Sequence, residues 1–307
     1  MCTEPEREVA WAPQYKRYRS TGYLGFAGMT KRTLLLTILA MLAFAGNSLL
    51  CRLALRDTSI DPASFTALRL LAGAVVLGLL LRLRQGQTVL PGTWQGAIAL
   101  FVYAAGFSYA YVNLDAGAGA LLLFAAVQLS MIVWGVFRGE RLSPLQALGS
   151  VLALAGLIGL LLPGASTPAL AASLLMILAG TAWGAYSLLG RGAGDPLAAT
   201  AGNFIRTLPF AVVLCLVALP SLEWDRPGIL FALLSGGLTS GLGYAVWYAV
   251  LPRLAATQAA SIQLSVPLLT VLAGSLMLSE PLTGQLLIAG AAILGGIVLV
   301  LRGGKKT

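Results

Sequence analysis

The chain has three cysteines and no histidine, and its charged side chains are 20 Lys and Arg against 11 Asp and Glu. Without histidine it lacks the usual proton shuttle, the commonest metal ligand and the base of a nucleophile triad. Cys2, Cys51 and Cys215 are too few and too scattered for a disulfide framework, and two of them lie in apolar runs, where they read as small packing residues. No catalytic residue, metal ligand or cofactor is expected. What the residue types can do is bind. Tyr103, Phe107 and Tyr111 are spaced i, i+4, i+8 and share one helical face. Tyr244 and Tyr248 follow the same rule with Trp247 beside them, and Trp183 and Tyr186 form a further aromatic pair. Amides stand in apolar surroundings at Asn47, Gln128, Gln258 and Gln263. A pocket within lipid needs apolar faces for a ligand's body and a few polar groups to fix it. Asn47, Tyr103, Phe107, Gln128, Trp183, Tyr186, Tyr244, Gln258 and Gln263 are the expected substrate-binding set. The competing roles are an interfacial aromatic belt, favoured for Tyr111 and Trp247, and interhelical hydrogen bonding for the amides.

These residues sit in a chain that is 58% hydrophobic and only 10% charged, with mean hydropathy +0.86. Soluble domains carry about a quarter charged residues. Apolar runs recur from residue 33 to residue 301, each long enough to cross a hydrocarbon core about 30 Å thick. Proline, glycine and charge punctuation predicts helices over 33–54, 63–82, 92–112, 117–137, 144–162, 170–189, 197–219, 228–249, 256–278 and 283–301. Pro62, Pro91, Pro144, Pro196, Pro227 and Pro281 fall near first turns, where a missing N–H does no harm. Pro267, inside the ninth span, is expected to kink it and free the carbonyl of Gln263.

The net charge of +9 does not form the stripe a nucleic acid would need. Its distribution is a topology signal. With the N-terminus inside, Lys and Arg number 15 on the cytoplasmic side and three on the other, Arg52, Arg56 and Arg226, while Arg69 and Arg206 fall within spans. Both termini are expected in the cytoplasm. Residues 1–28 read as a disordered tail, and Met29, followed by Thr30, Lys31 and Arg32, offers an alternative translation start.

The sequence also repeats. Residues 37–52, TILAMLAFAGNSLLCR, align without gaps on 176–191, MILAGTAWGAYSLLGR, with eight of sixteen positions identical. Phe44 aligns with Trp183, Asn47 with Tyr186, Arg69 with Arg206, and Glu140 with Glu280, at offsets of 137 to 140 residues. Shared apolar composition does not place charged residues in register, so a duplication is the better account. Because five is odd, the second copy must enter the membrane from the opposite side. The expected architecture is an all-α membrane protein of ten transmembrane helices in two inverted five-helix repeats. Its parts are a cytoplasmic tail 1–32, a first repeat 33–162, a second repeat 163–301 and a tail 302–307. Inverted repeats are a recurrent transporter design, with substrate bound between the halves near the midplane.

The paired A-[FW]-[AG]-[GA] segments at 43–46 and 182–185, the arginines Arg69 and Arg206, and the Glu-x-Leu-Ser/Thr steps beginning at Glu140 and Glu280 carry a resemblance to a known family. In these the chain resembles the drug/metabolite transporter superfamily, specifically its EamA-type ten-helix exporters, and among them the YddG-type amino-acid exporters. The family's proline thirteen residues before each glutamate is met by Pro267 but replaced by Val127. The resemblance implies a secondary transporter that exports amino acids, aromatic ones included, and related small metabolites by alternating access. It implies a central cavity lined by helices 1, 3, 4, 6, 8 and 9, with helices 5 and 10 peripheral. It also implies a bacterial inner (cytoplasmic) membrane location. A small-molecule substrate and the lipid bilayer are the expected partners of a monomer, with no nucleic acid and no cofactor.

A multidrug or other metabolite carrier of the same superfamily is the alternative. A membrane-embedded enzyme would need a cluster of His, Asp, Cys or Ser at one face, and a channel would need a charged ring or repeated polar filter; neither is found. Arg69 and Arg206 cost roughly 2.5 to 3.5 kcal/mol each at the centre of a span, so pairing or snorkelling is expected of them. Glu140 and Glu280 are expected to orient turns. No Asp, Glu or His lies well inside a span, which points to export without a dedicated intramembrane proton site. The glycine run Gly236, Gly237, Gly241, Gly243 reads as close packing before hinge.

Overall fold

The structure, a computed structural model, describes residues 30–85, 91–139, 141–162, 168–190, 194–250 and 262–303. Among these the chain is helical throughout. The helices are α1 Lys31–Asp57, α2 Pro62–Gln85, α3 Trp94–Tyr111, α4 Ala116–Phe137, α5 Pro144–Leu161, α6 Leu170–Leu189, α7 Pro196–Val217, α8 Arg226–Val250, α9 Ser265–Leu278 and α10 Gly284–Gly303. Eight of them are long and apolar enough to cross a membrane. Of the other two, α9 is apolar but has only 14 residues, and α3 is diluted by Gln95, Tyr103, Ser108, Tyr109 and Tyr111.

Their starts follow from local chemistry. Thr30 and Thr93 accept hydrogen bonds from Thr33 N and Gly96 N. Asp195 and Asp225 do the same for α7 and α8, each followed by a proline within the first two helical positions. Ser143 and Gln146 form a reciprocal capping box on α5 with Pro144 at its start. Ile262 and Gln263 are helical, Leu264 interrupts the run and α9 continues from Ser265 with Pro267 in its first turn; residues 256–261 of the expected span lie outside the described residues. And α8 is not uniform, since Leu234–Leu242 is π-helical. Such wide turns are rare and concentrate at functional positions.

The principal packings are α5 on α10, α2 on α7, α4 on α9, α3 on α6, α1 on α8, α4 on α6, α1 on α9, α2 on α8 and α3 on α7. Exchanging each helix for the one five places away maps this set onto itself. The α5–α10 contact is built on small residues: a Cβ at Gly149 would lie 2.5 Å from the Gly296 carbonyl, and one at Gly296 would lie 2.5 Å from the Gly149 carbonyl. Its two ends are tied by Ser143 Oγ donating to Gly303 O and Gln285 Nε2 donating to the carbonyls of Gly159, Leu160 and Leu162.

Large apolar side chains such as Leu35, Val151, Leu216, Leu276 and Ile288 point outward, while small residues and rings fill the interior. That distribution suits lipid, where backbone groups are satisfied within helices and apolar surface carries no cost. Trp94, Trp134 and Trp224 are exposed near helix ends. Tyr111 and Trp247, expected in the belt, are instead fully or nearly buried inside the bundle. Tyr111 OH donates to Ala116 O at 3.3 Å and the Trp247 ring packs edge-on to Phe44, contacts that periodicity does not report.

Candidate functional site

A cavity of about 500 Å³ lies at the centre of the bundle. Eight of the nine expected binding residues line it: Asn47, Tyr103, Phe107, Gln128, Trp183, Tyr186, Tyr244 and Gln263. Gln258 lies outside the described residues. The lining comes from α1, α3, α4, α6, α8 and the start of α9, and also from α7 through Pro196, Ala199, Thr200 and Asn203. Helix α10 contributes Ile297 alone, and α2 and α5 contribute nothing.

The wall is a ladder of rings. Phe44 meets Tyr244 at 5.8 Å between centroids, Tyr244 meets Trp183 at 5.4 Å, and Trp183 meets Tyr103 at 4.7 Å. Tyr103 then meets Phe107 at 5.4 Å and Phe107 meets Tyr111 at 4.7 Å. The i, i+4, i+8 spacing on α3 and the alignment of Phe44 with Trp183 are what put these rings in contact. Offset and edge-on pairs at such distances are favourable beyond area burial.

Two polar hubs interrupt the rings. Asn47 Oδ1 accepts from Ser235 Oγ at 2.8 Å and Arg69 Nη2 at 3.1 Å, with Thr239 Oγ1 3.2 Å away. Guanidinium only donates, so the atom facing Arg69 is the amide oxygen, which turns Nδ2 toward Tyr103 OH at 3.5 Å. Thr200 is the second hub: its hydroxyl lies 3.3 Å from both Tyr186 OH and Tyr248 OH and donates to Pro196 O at 2.8 Å. Ser235, Thr239 and Thr200 were not among the expected residues. Their signal was faint, a Ser and a Thr four apart in a glycine-rich run and a Thr near the start of a helix not expected to reach the cavity.

One turn beyond Ser48 and Phe107 of the lining, toward one end of the bundle, lies an ionic cluster. Arg52 Nε pairs with Glu280 Oε1 at 3.3 Å and Nη2 with Asp115 Oδ1 at 3.2 Å, while Nη1 donates to Tyr111 O and Val112 O at 3.0 Å each. Glu280 also accepts from Ala116 N through both oxygens. Ser279 supplies the turn by adopting φ 54°, the left-handed region, which brings Glu280 N to Gly274 O at 3.2 Å. Burial raises the Glu280 carboxyl above its usual range, the Ala116 N–H opposes it, Asp115 adds to the rise and Arg52 lowers it. Sequence reading assigned Glu280 to orienting a turn, whereas its side chain holds Arg52 and Ala116 N, and it counted Arg52 only as an outside charge. At the other end the cavity reaches Gly190, which caps α6, and Pro196, which opens α7. Glu140, Arg191 and Arg253 lie outside the described residues.

Among the described residues, no group of three His, Cys, Asp or Glu side chains is placed to hold a metal ion. Rings, amides and hydroxyls around an apolar void can hold and release a small molecule.

Comparison with known proteins agrees with such a use. The profile described as the EamA-like transporter family matches residues 31–162 and again 170–302. The uncharacterized protein PA1977 of Pseudomonas aeruginosa is 62% identical over 272 residues, 88% of this chain and 95% of its own. The uncharacterized transporter YoaV of Bacillus subtilis is 24% identical over 78% of this chain and 87% of its own. A solved crystal structure superposes with TM-score 0.64 at 20% identity, covering 91% of this chain and 100% of that one, a likeness of fold alone.

Proposed function

From the premise that the chain belongs to the EamA-like transporter family, a multi-pass membrane transporter and not an enzyme, we propose that it exports amino acids, aromatic ones included, and related small metabolites by alternating access. The observation that carries this reading is the central cavity, whose ring ladder suits a planar apolar side chain and whose hubs at Asn47 and Thr200 suit a polar head.

The halves 33–162 and 163–301 are read as inverted repeats. The exchange symmetry of the helix packings and the reciprocal Gly149–Gly296 contact support this. The cavity reaches Gly190 and Pro196, and the Arg52–Glu280 pair ties the bundle together beyond Ser48 and Phe107; we read this as a carrier loaded from the Gly190–Pro196 side. The basic residues argue that the loading side, and both termini, are cytoplasmic and that the host is a bacterial inner membrane. The carrier works as a monomer with a small-molecule substrate.

Counterflow in proteoliposomes containing the purified full chain tests the reading. Preloading with unlabelled phenylalanine should drive uptake of labelled phenylalanine at least fivefold above empty liposomes without an imposed pH gradient. Uptake no greater than in empty liposomes across a panel of all common amino acids would overturn it.

A further inference from the structure

Arg69 is a buried cation without a matching anion. The residue is 3% exposed, its Nη1 has no hydrogen-bond partner, and no carboxylate pairs with it among the described residues. The rings of Phe65 and Phe107 lie 5.9 and 5.1 Å from its Cζ. Its Nη2 donates to Asn47, and Tyr103 is its other polar neighbour; both of these side chains line the cavity and stand between Arg69 and the void. The repeat-equivalent Arg206 is used differently, donating to Gly202 O beside the link to α3. A guanidinium held at depth at a cost of several kcal/mol, with donor capacity left over, is not explained by packing.

Charge around the void is one-sided. Among the described residues no Asp or Glu lines the cavity, whereas Arg69 lies behind the Asn47 wall. Both lone pairs of Asn47 Oδ1 are taken by Ser235 and Arg69. Its Nδ2 has only the 3.5 Å contact with Tyr103 OH, at the outer limit of a hydrogen bond. The Asn47 wall of the cavity therefore offers a weakly engaged N–H donor backed by a positive charge and, among the described residues, no acceptor charge for a cation.

We propose that Asn47 and Arg69 form a carboxylate-recognising subsite, so that the transported metabolites are carboxylic acids or amino acids bound acid-end first toward α2. This rests on the transport reading above and deepens it. Asn47 Nδ2 donates to a carboxylate oxygen, and Arg69 both fixes the amide orientation and supplies the charge. Ser235 and Thr239, presented by the π-helical turn of α8, hold the amide from the other side. An aromatic or aliphatic side chain then lies along Tyr103, Trp183 and Tyr244.

Binding to the purified full chain, read by intrinsic tryptophan fluorescence, compares two probes of one shape, 3-phenylpropionate and 3-phenylpropionamide. The wild type should bind the acid at least tenfold more tightly than the amide, as a charge pair away from water implies. In Arg69→Gln the ratio should fall to within threefold, and in Arg69→Lys it should stay above threefold. If Arg69→Gln does not fold, Asn47→Ala carries the test, with a loss of at least threefold in the ratio. Equal binding of the two probes by the wild type, binding of neither, or a ratio unchanged by these substitutions would overturn the subsite. Failure of phenylalanine counterflow alongside a Arg69-dependent preference for the acid would sink the amino-acid reading and leave the subsite standing.

Discussion

Arg52 on α1 and Glu280 in the α9–α10 turn, 228 residues apart in sequence, are joined at 3.3 Å at the end of the bundle one turn beyond Ser48 of the cavity wall. The pair spans the two halves of the chain, and both side chains are largely shielded, 11% and 8% exposed. Removing Glu280 leaves Arg52 with Asp115 as its remaining carboxylate and takes the side-chain acceptor from the buried Ala116 N, a loss of about 1 to 3 kcal/mol. Glu280→Ala should therefore loosen this end. Leu114, fully buried and next in sequence to Asp115, the other carboxylate on Arg52, is a suitable reporter. In a background free of native cysteines, Leu114→Cys should react with a membrane-impermeant maleimide at least fivefold faster when Glu280→Ala is also present. Equal rates would mean that the pair does not hold the end shut.

The same carboxyl gives a pH signature. Burial is the largest influence on Glu280 and raises it above its ordinary value of 4.5, with Ala116 N–H and Arg52 opposing in part. A group whose pKa is higher in the folded protein holds its proton more tightly there than in the unfolded chain. Its contribution to stability is full below the unfolded value and is lost as pH rises through the folded one. The melting temperature of the wild type relative to Glu280→Gln should accordingly fall as pH rises from below the ordinary value of 4.5 through the raised folded-state one. A difference that grows with pH would show that attraction to Arg52 outweighs desolvation.

Gly236 determines how closely α8 approaches α2. A Cβ built there would collide with the carbonyl carbon and oxygen of Arg69, backbone atoms that cannot step aside. Gly236→Ala should lower stability by about 1 to 3 kcal/mol, the usual range for overpacking. Gly78, with nothing within 4 Å of the same construction, is the control. Gly78→Ala should be neutral or stabilising by up to about 1 kcal/mol, since alanine is the better helix former. Thermal unfolding in detergent separates the two, and equal effects would refute the packing account.

Helices were the most legible feature because span length and proline punctuation are local properties of the chain. Eight of the nine expected cavity residues also converge, because ring spacing on α3 and the repeat alignment both encode which face a side chain takes. What escaped sequence reading depends on partners distant in sequence. Arg52 looks like any flanking charge until Glu280 and Asp115 are brought to it. Tyr111 and Trp247 sit where belt residues sit, yet the fold turns them inward. Thr200 on α7 and Ser235 in the π-helical turn become polar hubs only through tertiary contact with Tyr186 and Asn47.

Trp183 is the rung that connects the ring ladder, touching Tyr103, Tyr186 and Tyr244 at 4.7, 5.4 and 5.4 Å. It is only partly buried and faces the cavity, so its truncation should cost less stability than loss of a fully packed ring. Each aromatic contact contributes roughly 0.5 to 1.5 kcal/mol beyond its area, so a bound aromatic side chain that stacks here loses about one such contact or two. Trp183→Ala should raise the half-saturating concentration for phenylalanine counterflow roughly tenfold, with alanine counterflow changed much less, because alanine presents no ring to stack. Trp183→Phe should recover most of the difference, since a ring face is restored without the indole N–H. If Trp183→Ala weakened both substrates alike, the ladder would be a structural wall and not a surface on which the substrate lies.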